Sequence, residues 1–288
     1  MTLKGPFNNV DEALDYLDAV GRMDDGEIDL FEGALALSVQ NHAGISLDKY
    51  RNHRIRLAED CAEMHENHLK DGAADDLDAQ IWTLAEVYTR RHGYIGDDFR
   101  YNDLQNADII RVIDRRLGLP ISLSILCVTT GQDLGWDVVG LNFPAHFVIR
   151  MQKDGAREIV DPFQGCIVLK APDLRNILKK TLGEQAELSA QYYEPASKRD
   201  TLIRLQNNIK LRQIEAEDYL GALANVDLLK RIAPDEYRLD LDAGVLLARL
   251  ERPVAAIEAL ERYISKVPNA KDRHDAAMLL QELRTTLN

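Results

Sequence analysis

Cysteine, tryptophan and aromatic residues in general are scarce: three cysteines, two tryptophans and 6% aromatics in 288 residues. Cys61, Cys127 and Cys166 are odd in number, far apart and without a CxxC pair. That excludes a disulfide framework and fits a reducing compartment. Long apolar runs are missing too. No stretch approaches the ~18 uninterrupted apolar residues of a membrane span, and Met1 to Val20 has acidic or polar residues every few positions, unlike a signal peptide. The expectation is a soluble cytoplasmic protein with no membrane partner. Basic charge is also short, 35 Lys and Arg against 48 Asp and Glu for a net charge of −13. A chain of that sign is not expected to bind nucleic acid.

What is present is mostly helical spacing, in a chain long enough for two or three domains. Leu14, Leu17 and Val20 form one stripe within residues 8–23; Leu30, Phe31, Ala34, Leu35 and Leu37 form another within 29–41. Asp11 and Asp29 stand where caps or first-turn acids belong. Further helices are expected from about Leu47 to Leu69 and from about Asp78 to Arg91. His65 and His68 sit at i,i+3, but no third ligand is spaced to complete a metal site, so they read as a solvated face. Cys61 on the same helix reads as a small core residue. Nothing points to a metal or an organic cofactor.

After His92-Gly93-Tyr94-Ile95-Gly96 the chain turns. Tyr101 to Ala107 opens a helix with an apolar face of Ile109, Ile110, Val112, Ile113 and Leu117. Gly118 is expected to end it as the C′ glycine, and Pro120 to start the next one. That next helix, to about Leu134, is apolar almost all round, the pattern of a domain's buried centre. Asp137–Leu141, His146–Met151 and Arg157–Val160 read as strands, with Lys153-Asp154-Gly155 as a hairpin turn. If the turn centres on Asp154-Gly155, paired numbers sum to 309, and His146 and Asp161 are diagonal neighbours on one face, roughly 7–8 Å apart. A turn centred one residue earlier would set them directly opposite; a sum of 308 would put them on opposite faces. Ser122, His146 and Asp161 thus stand in order at the ends of a helix and two strands, as nucleophile, base and orienter do in a triad.

From about Thr201 only helices are expected. Pro234 and Pro268 lie 34 residues apart, as do Ala222 and Ala256, Leu223 and Ile257, and Val226 and Leu260. That period, with helix pairs ending in proline, is the tetratricopeptide signature. The units are 201–234 and 235–268, with 270–287 as a capping helix; the large aromatic of the consensus is missing from both first helices. Residues 171–200 read as a linker of low helical regularity.

On these residues the chain resembles the SirB-type transglutaminase-like/tetratricopeptide proteins, a bacterial family. The resemblance is carried by Ile28-Asp29-Leu30-Phe31-Glu32-Gly33-Ala34-Leu35, by Asn106 through Arg115-Arg116-Leu117-Gly118-Leu119-Pro120-Ile121-Ser122-Leu123-Ser124, by Phe143-Pro144-Ala145-His146-Phe147, by Val160-Asp161-Pro162-Phe163 and by the repeats. It implies an α+β, mostly helical protein: an N-terminal helical region (1–100), a papain/transglutaminase-like core with a small antiparallel sheet (101–185), and C-terminal α-helical repeats (200–288). It further implies that His146 and Asp161 hold the histidine and aspartate places of a triad. The cysteine place falls on Ser122, with Ser124 the weaker match. Cys127, five residues on, points roughly 140° away from Ser122 round the helix. Cys166 follows Asp161 closely and reads as a buried or incidental thiol.

Two functions follow from this reading. The first is a degenerate transglutaminase-like core, a pseudoenzyme, joined to repeats that bind a protein or peptide partner in a regulatory role. Arg204, Asn207, Asn208, Lys210 and Arg212 make the first repeat helix polar and partly basic, suited to an acidic or C-terminal carboxylate ligand. The second is a hydrolase or acyltransferase acting on amide or ester bonds of a peptide-like substrate. There Ser122 at a helix start would draw on the dipole and free N–H groups, lose its proton to His146, and rely on Asp161 to hold the imidazole.

Overall fold

The computed structural model describes residues 5–144 and 146–287; Ala145 of the quoted Phe143–Phe147 motif lies outside them. Contacts divide the chain into two compact units, Met1–Ala13 with Asp24–Leu205, and Leu14–Met23 with Gln206–Asn288. Of the three boundaries, Ala13/Leu14 falls inside helix α1 (Val10–Val20) and Leu205/Gln206 inside helix α8 (Lys198–Glu215), while Met23/Asp24 follows the end of α1.

The first unit is organised around α6 (Pro120–Asp133), whose residues are buried from Pro120 to Gly131. A helix that is apolar all round has no face to give to water, so other elements must enclose it. Those packed on it include α2 (Leu30–Val39), α3 (Asp48–Lys70), α5 (Ile109–Arg115), β3 (Asp137–Leu141) and β4 (Val148–Lys153). Pro120 starts α6 at its first turn, as expected. Asp29 caps α2 by accepting the Glu32 N–H at 3.0 Å. The fourth helix runs as α4 (Leu77–Ala85) and continues as a π-helical turn over Glu86–Arg91.

The sheet is an antiparallel meander in the order β3, β4, β5 (Ala156–Asp161), β6 (Ile167–Leu169). Ile149 pairs with Val160 and Arg150 with Ile159, the register of sum 309. Asp154 and Gly155 both have positive φ, 49° and 83°, as a two-residue turn matched to the strand twist requires. The short strand β6 was not anticipated.

Two sequence expectations are corrected here. The helix before α6 ends at Arg115, and the left-handed residue after it is Arg116 (φ 62°), not Gly118. Leu117–Gly118 instead forms strand β2, parallel to β1 (Ile95–Gly96). Gly118 is needed for space: a Cβ there would lie 2.7 Å from Ser122 Oγ and 3.1 Å from Leu123 and Val112 atoms. Secondly, 171–182 is not linker but helix α7 (Ala171–Leu182), opened by Pro172 and by the Asp173 carboxylate accepting the Lys170 N–H at 2.9 Å. Leu174 and Leu178 are its buried positions.

The second unit holds the rest of α8, then α9 (Tyr219–Ile232), α10 (Arg238–Arg249), α11 (Pro253–Lys266) and α12 (Ala270–Leu287). Successive helices from α9 onward pack on one another. The 34-residue pairs Ala222/Ala256 and Val226/Leu260 are fully buried, as a repeat that shares its core with its neighbour demands. Gly244 lets α10 approach α11, since a Cβ there would meet Leu260 Cγ at 2.7 Å. Residues 14–23 belong to this unit as well: Gly21 lies against the Arg231 carbonyl, and Asp18 pairs with Arg231 at 2.6 Å. Among the described residues no helix is long and apolar enough to cross a membrane.

Candidate functional site

The hairpin delivers Asp161 to the end of β5 and His146 to the entry of β4. His146 Nε2 lies 2.8 Å from Asp161 Oδ2, and Asp161 Oδ1 accepts the Phe163 N–H at 3.0 Å. Asp161 is fully buried, while the His146 side chain keeps 13% of its exposure. With Nε2 committed to the carboxylate, Nδ1 is the nitrogen left to exchange a proton with a ligand. Phe163 fixes the ring edge-on at 6.0 Å, and Tyr101 packs edge-on to the other part of Phe163 at 5.9 Å. Gly96 makes room, because a Cβ there would sit 2.5 Å from the Phe163 ring. Neither aromatic was assigned a place at the site from the sequence; Phe163 was noted only as the end of the Val160–Phe163 motif, and that position directly after Asp161-Pro162 was its signal.

Ser122 is fully buried, with its Oγ 2.7 Å from the Asn106 carbonyl and 3.0 Å from the Leu119 carbonyl. A hydroxyl has one proton, and here it is spent on the backbone. Among the described residues no hydrogen bond joins Ser122 to His146. Ser124 is buried too, and its Oγ has no hydrogen-bond partner among the described residues. The three cysteines are free and buried. Burial, Cys166 and Asp60 push the Cys61 thiol up to about 12. Burial and its contact with Cys166 push Cys127 well up, although a hydrogen bond with Tyr88 opposes that. Thiols so placed are poor nucleophiles. Cys166 does lie beside the site, its N–H bonded to the Asp161 carbonyl at 2.8 Å.

His65 bonds to Thr83 and Asp75, each at 3.2 Å, and His68 stacks on Trp82 at 3.8 Å. Of the polar residues on the first repeat helix, Arg204 donates to the Asn142 side chain and the Phe143 carbonyl and lies over the Phe147 ring. Burial lowers its pKa. Lys210 is buried and paired with Asp242; Arg212 donates to the Asn208 carbonyl and side chain; Asn207 Oδ1 is buried with no hydrogen-bond partner among the described residues.

A family model described as the transglutaminase-like superfamily matches residues 51–207. The chain belongs to that superfamily. In this transglutaminase-like chain a second model, tetratricopeptide repeat, matches residues 209–281. Relatives include a "UPF0162 protein" of Vibrio cholerae, 29% identical over 84% of this chain and 87% of the relative. Another of that name, from Xylella fastidiosa strain Temecula1, is 27% identical over 78% and 82%. "Protein SirB1" of Salmonella typhimurium is 23% identical over 66% and 71%. The relatives support the SirB-type assignment, and the two family models the two-part architecture of core and repeats. No solved structure matches the chain.

Proposed function

We propose that this protein is a regulatory interaction module: its repeats bind a peptide or protein segment, and its transglutaminase-like core no longer performs nucleophilic catalysis. The observation that carries the reading is a recurrence on the surface. Leu211 and Val245 lie 34 residues apart on the first helices of successive repeats and are 56% and 38% exposed. Leu220 and Val254, also 34 apart, recur at the starts of the second helices, 59% and 63% exposed. Apolar residues exposed at the repeat period form rows across neighbouring helices, which suit an amphipathic segment better than a purely acidic one. Lys210 and Arg212, already bonded within the protein, leave less charge for a carboxylate ligand. The test is capture of binding partners by wild type and by Leu211→Asp/Val245→Asp, with equal melting temperatures confirming the fold. Partners lost in the variant support the proposal; identical capture, or none by either protein, refutes it.

A second reading, a serine hydrolase or acyltransferase built from Ser122, His146 and Asp161, is favoured by one observation, the 2.8 Å His146–Asp161 bond. It requires the Ser122 hydroxyl to leave the Asn106 carbonyl. A fluorophosphonate probe decides: labelling of wild type that disappears in Ser122→Ala would establish the serine as a nucleophile, and absence of labelling would retire it.

A further inference from the structure

A cationic cluster lies in the first unit and uses no residue of the His146–Asp161 pair. Arg116, just after α5, holds a left-handed backbone (φ 62°, ψ 21°), where glycine is the ordinary occupant and a side chain is kept at some cost. Its Nη1 donates to His53 Nε2 at 2.6 Å and to the Tyr94 hydroxyl at 2.5 Å, and its guanidinium lies 4.8 Å from the Tyr94 ring centre. Both partners are neutral. His53 is pushed down to about 3 by burial and by Arg116, His92, Arg56 and Lys49, and burial pushes the Tyr94 hydroxyl up.

The other edge of the guanidinium, Nε and Nη2, has no bond among the described residues and is not buried. Helix α3 adds the positive charge of Arg56, which shares a face with the neutral His53 and with Lys49, itself paired with Asp114. Arg56 is exposed and has no ion pair among the described residues. The acids nearby are engaged elsewhere: Asp114 takes Lys49 and the Tyr50 hydroxyl, and Asp60 takes His92 and Arg91. In a chain of net charge −13, a half-buried guanidinium held only by neutral groups is an uncompensated charge with an open two-pronged edge. Such an edge matches two oxygens of one oxyanion.

We infer that Arg116, with Arg56 three residues beyond its partner His53 on α3, forms a binding site for a phosphate-type oxyanion, held two-pronged by Arg116 Nε and Nη2. The anion is either free phosphate or the phosphoryl group of a larger metabolite. The probes are inorganic phosphate, O-phosphoserine and acetate, titrated into the full chain at constant ionic strength, with melting temperature and isothermal titration as readouts. Phosphate should raise the melting temperature saturably; tighter binding of O-phosphoserine would favour the larger source and equal binding the free ion. Acetate should be at least tenfold weaker than phosphate. Arg116→Gly suits the backbone and removes the fork, so affinity for phosphate should fall at least tenfold. Arg56→Gln, an exposed change with no bond to lose, should weaken binding several-fold and serves if the first variant does not fold. Absence of a saturable response in wild type, or unchanged affinity in the folded variants, overturns the inference.

Discussion

Asp161 is buried with two donors on it, His146 Nε2 and the Phe163 N–H, so its removal strands both. Asp161→Ala should destabilise by about 3 kcal/mol, the usual cost of leaving buried partners uncompensated. Urea unfolding would measure it, and a loss under about 1 kcal/mol would show that the bond contributes little. His53 makes a different prediction. Its folded-state pKa of about 3 lies below the ordinary 6.5, so the unfolded chain takes up the proton first. Its contribution to stability is therefore complete above pH 6.5 and is lost as pH falls toward 3. His92, lowered in the same direction mainly by burial, adds to the slope. His53→Gln should flatten the fall in stability across that window; an unchanged pH profile would contradict it. At this scale the sequence made the His146–Asp161 pairing legible, because strand alternation and the Asp154-Gly155 turn determine which side chains share a face. The inward turn of Ser122 was not legible. It depends on the Asn106 carbonyl, sixteen residues away, which no local pattern reports.

Among the elements, α6 and the hairpin were readable because one is apolar on every side and the other has turn residues that set its register. Gly118 misled because a glycine after a helix looks like a cap, while here it makes room for Ser122, Leu123 and Val112 in a two-residue parallel pair. Helix α7 was passed over because residues 171–200 as a whole show low helical regularity; Leu174 and Leu178, four residues apart, were the signal. Helix α1 shows the same limit, since its apolar stripe gave no hint that its latter part packs with the repeats. A Cβ at Gly21 would come within 2.1 Å of the Arg231 carbonyl, a backbone atom that cannot swing aside. Gly21→Ala should cost about 1–3 kcal/mol, the range for overpacking. Hydrogen exchange should locate the loss in α9 and leave α6 protected. Faster exchange spread evenly through the chain would argue against a local contact.

At the scale of the whole molecule, the repeats are built from two separated stretches, 14–23 and 206–288. A fragment of residues 206–288 should melt below the repeats of the full chain, and a peptide of residues 10–23 added in excess should restore part of the difference. If the peptide does not raise the fragment's melting temperature, the segment is dispensable to the repeats.

This interleaving also bears on synthesis by the ribosome. Asp18 and Arg231, which pair in the finished protein, are 213 positions apart, so at 5–20 residues per second Asp18 waits roughly 10–40 s for its partner to be made. During that interval the segment lacks the contacts that Asp18 and Gly21 make with Arg231 in the finished protein. The nascent chain therefore carries near its beginning a segment that cannot make its native contacts with Arg231 until α9 has been translated.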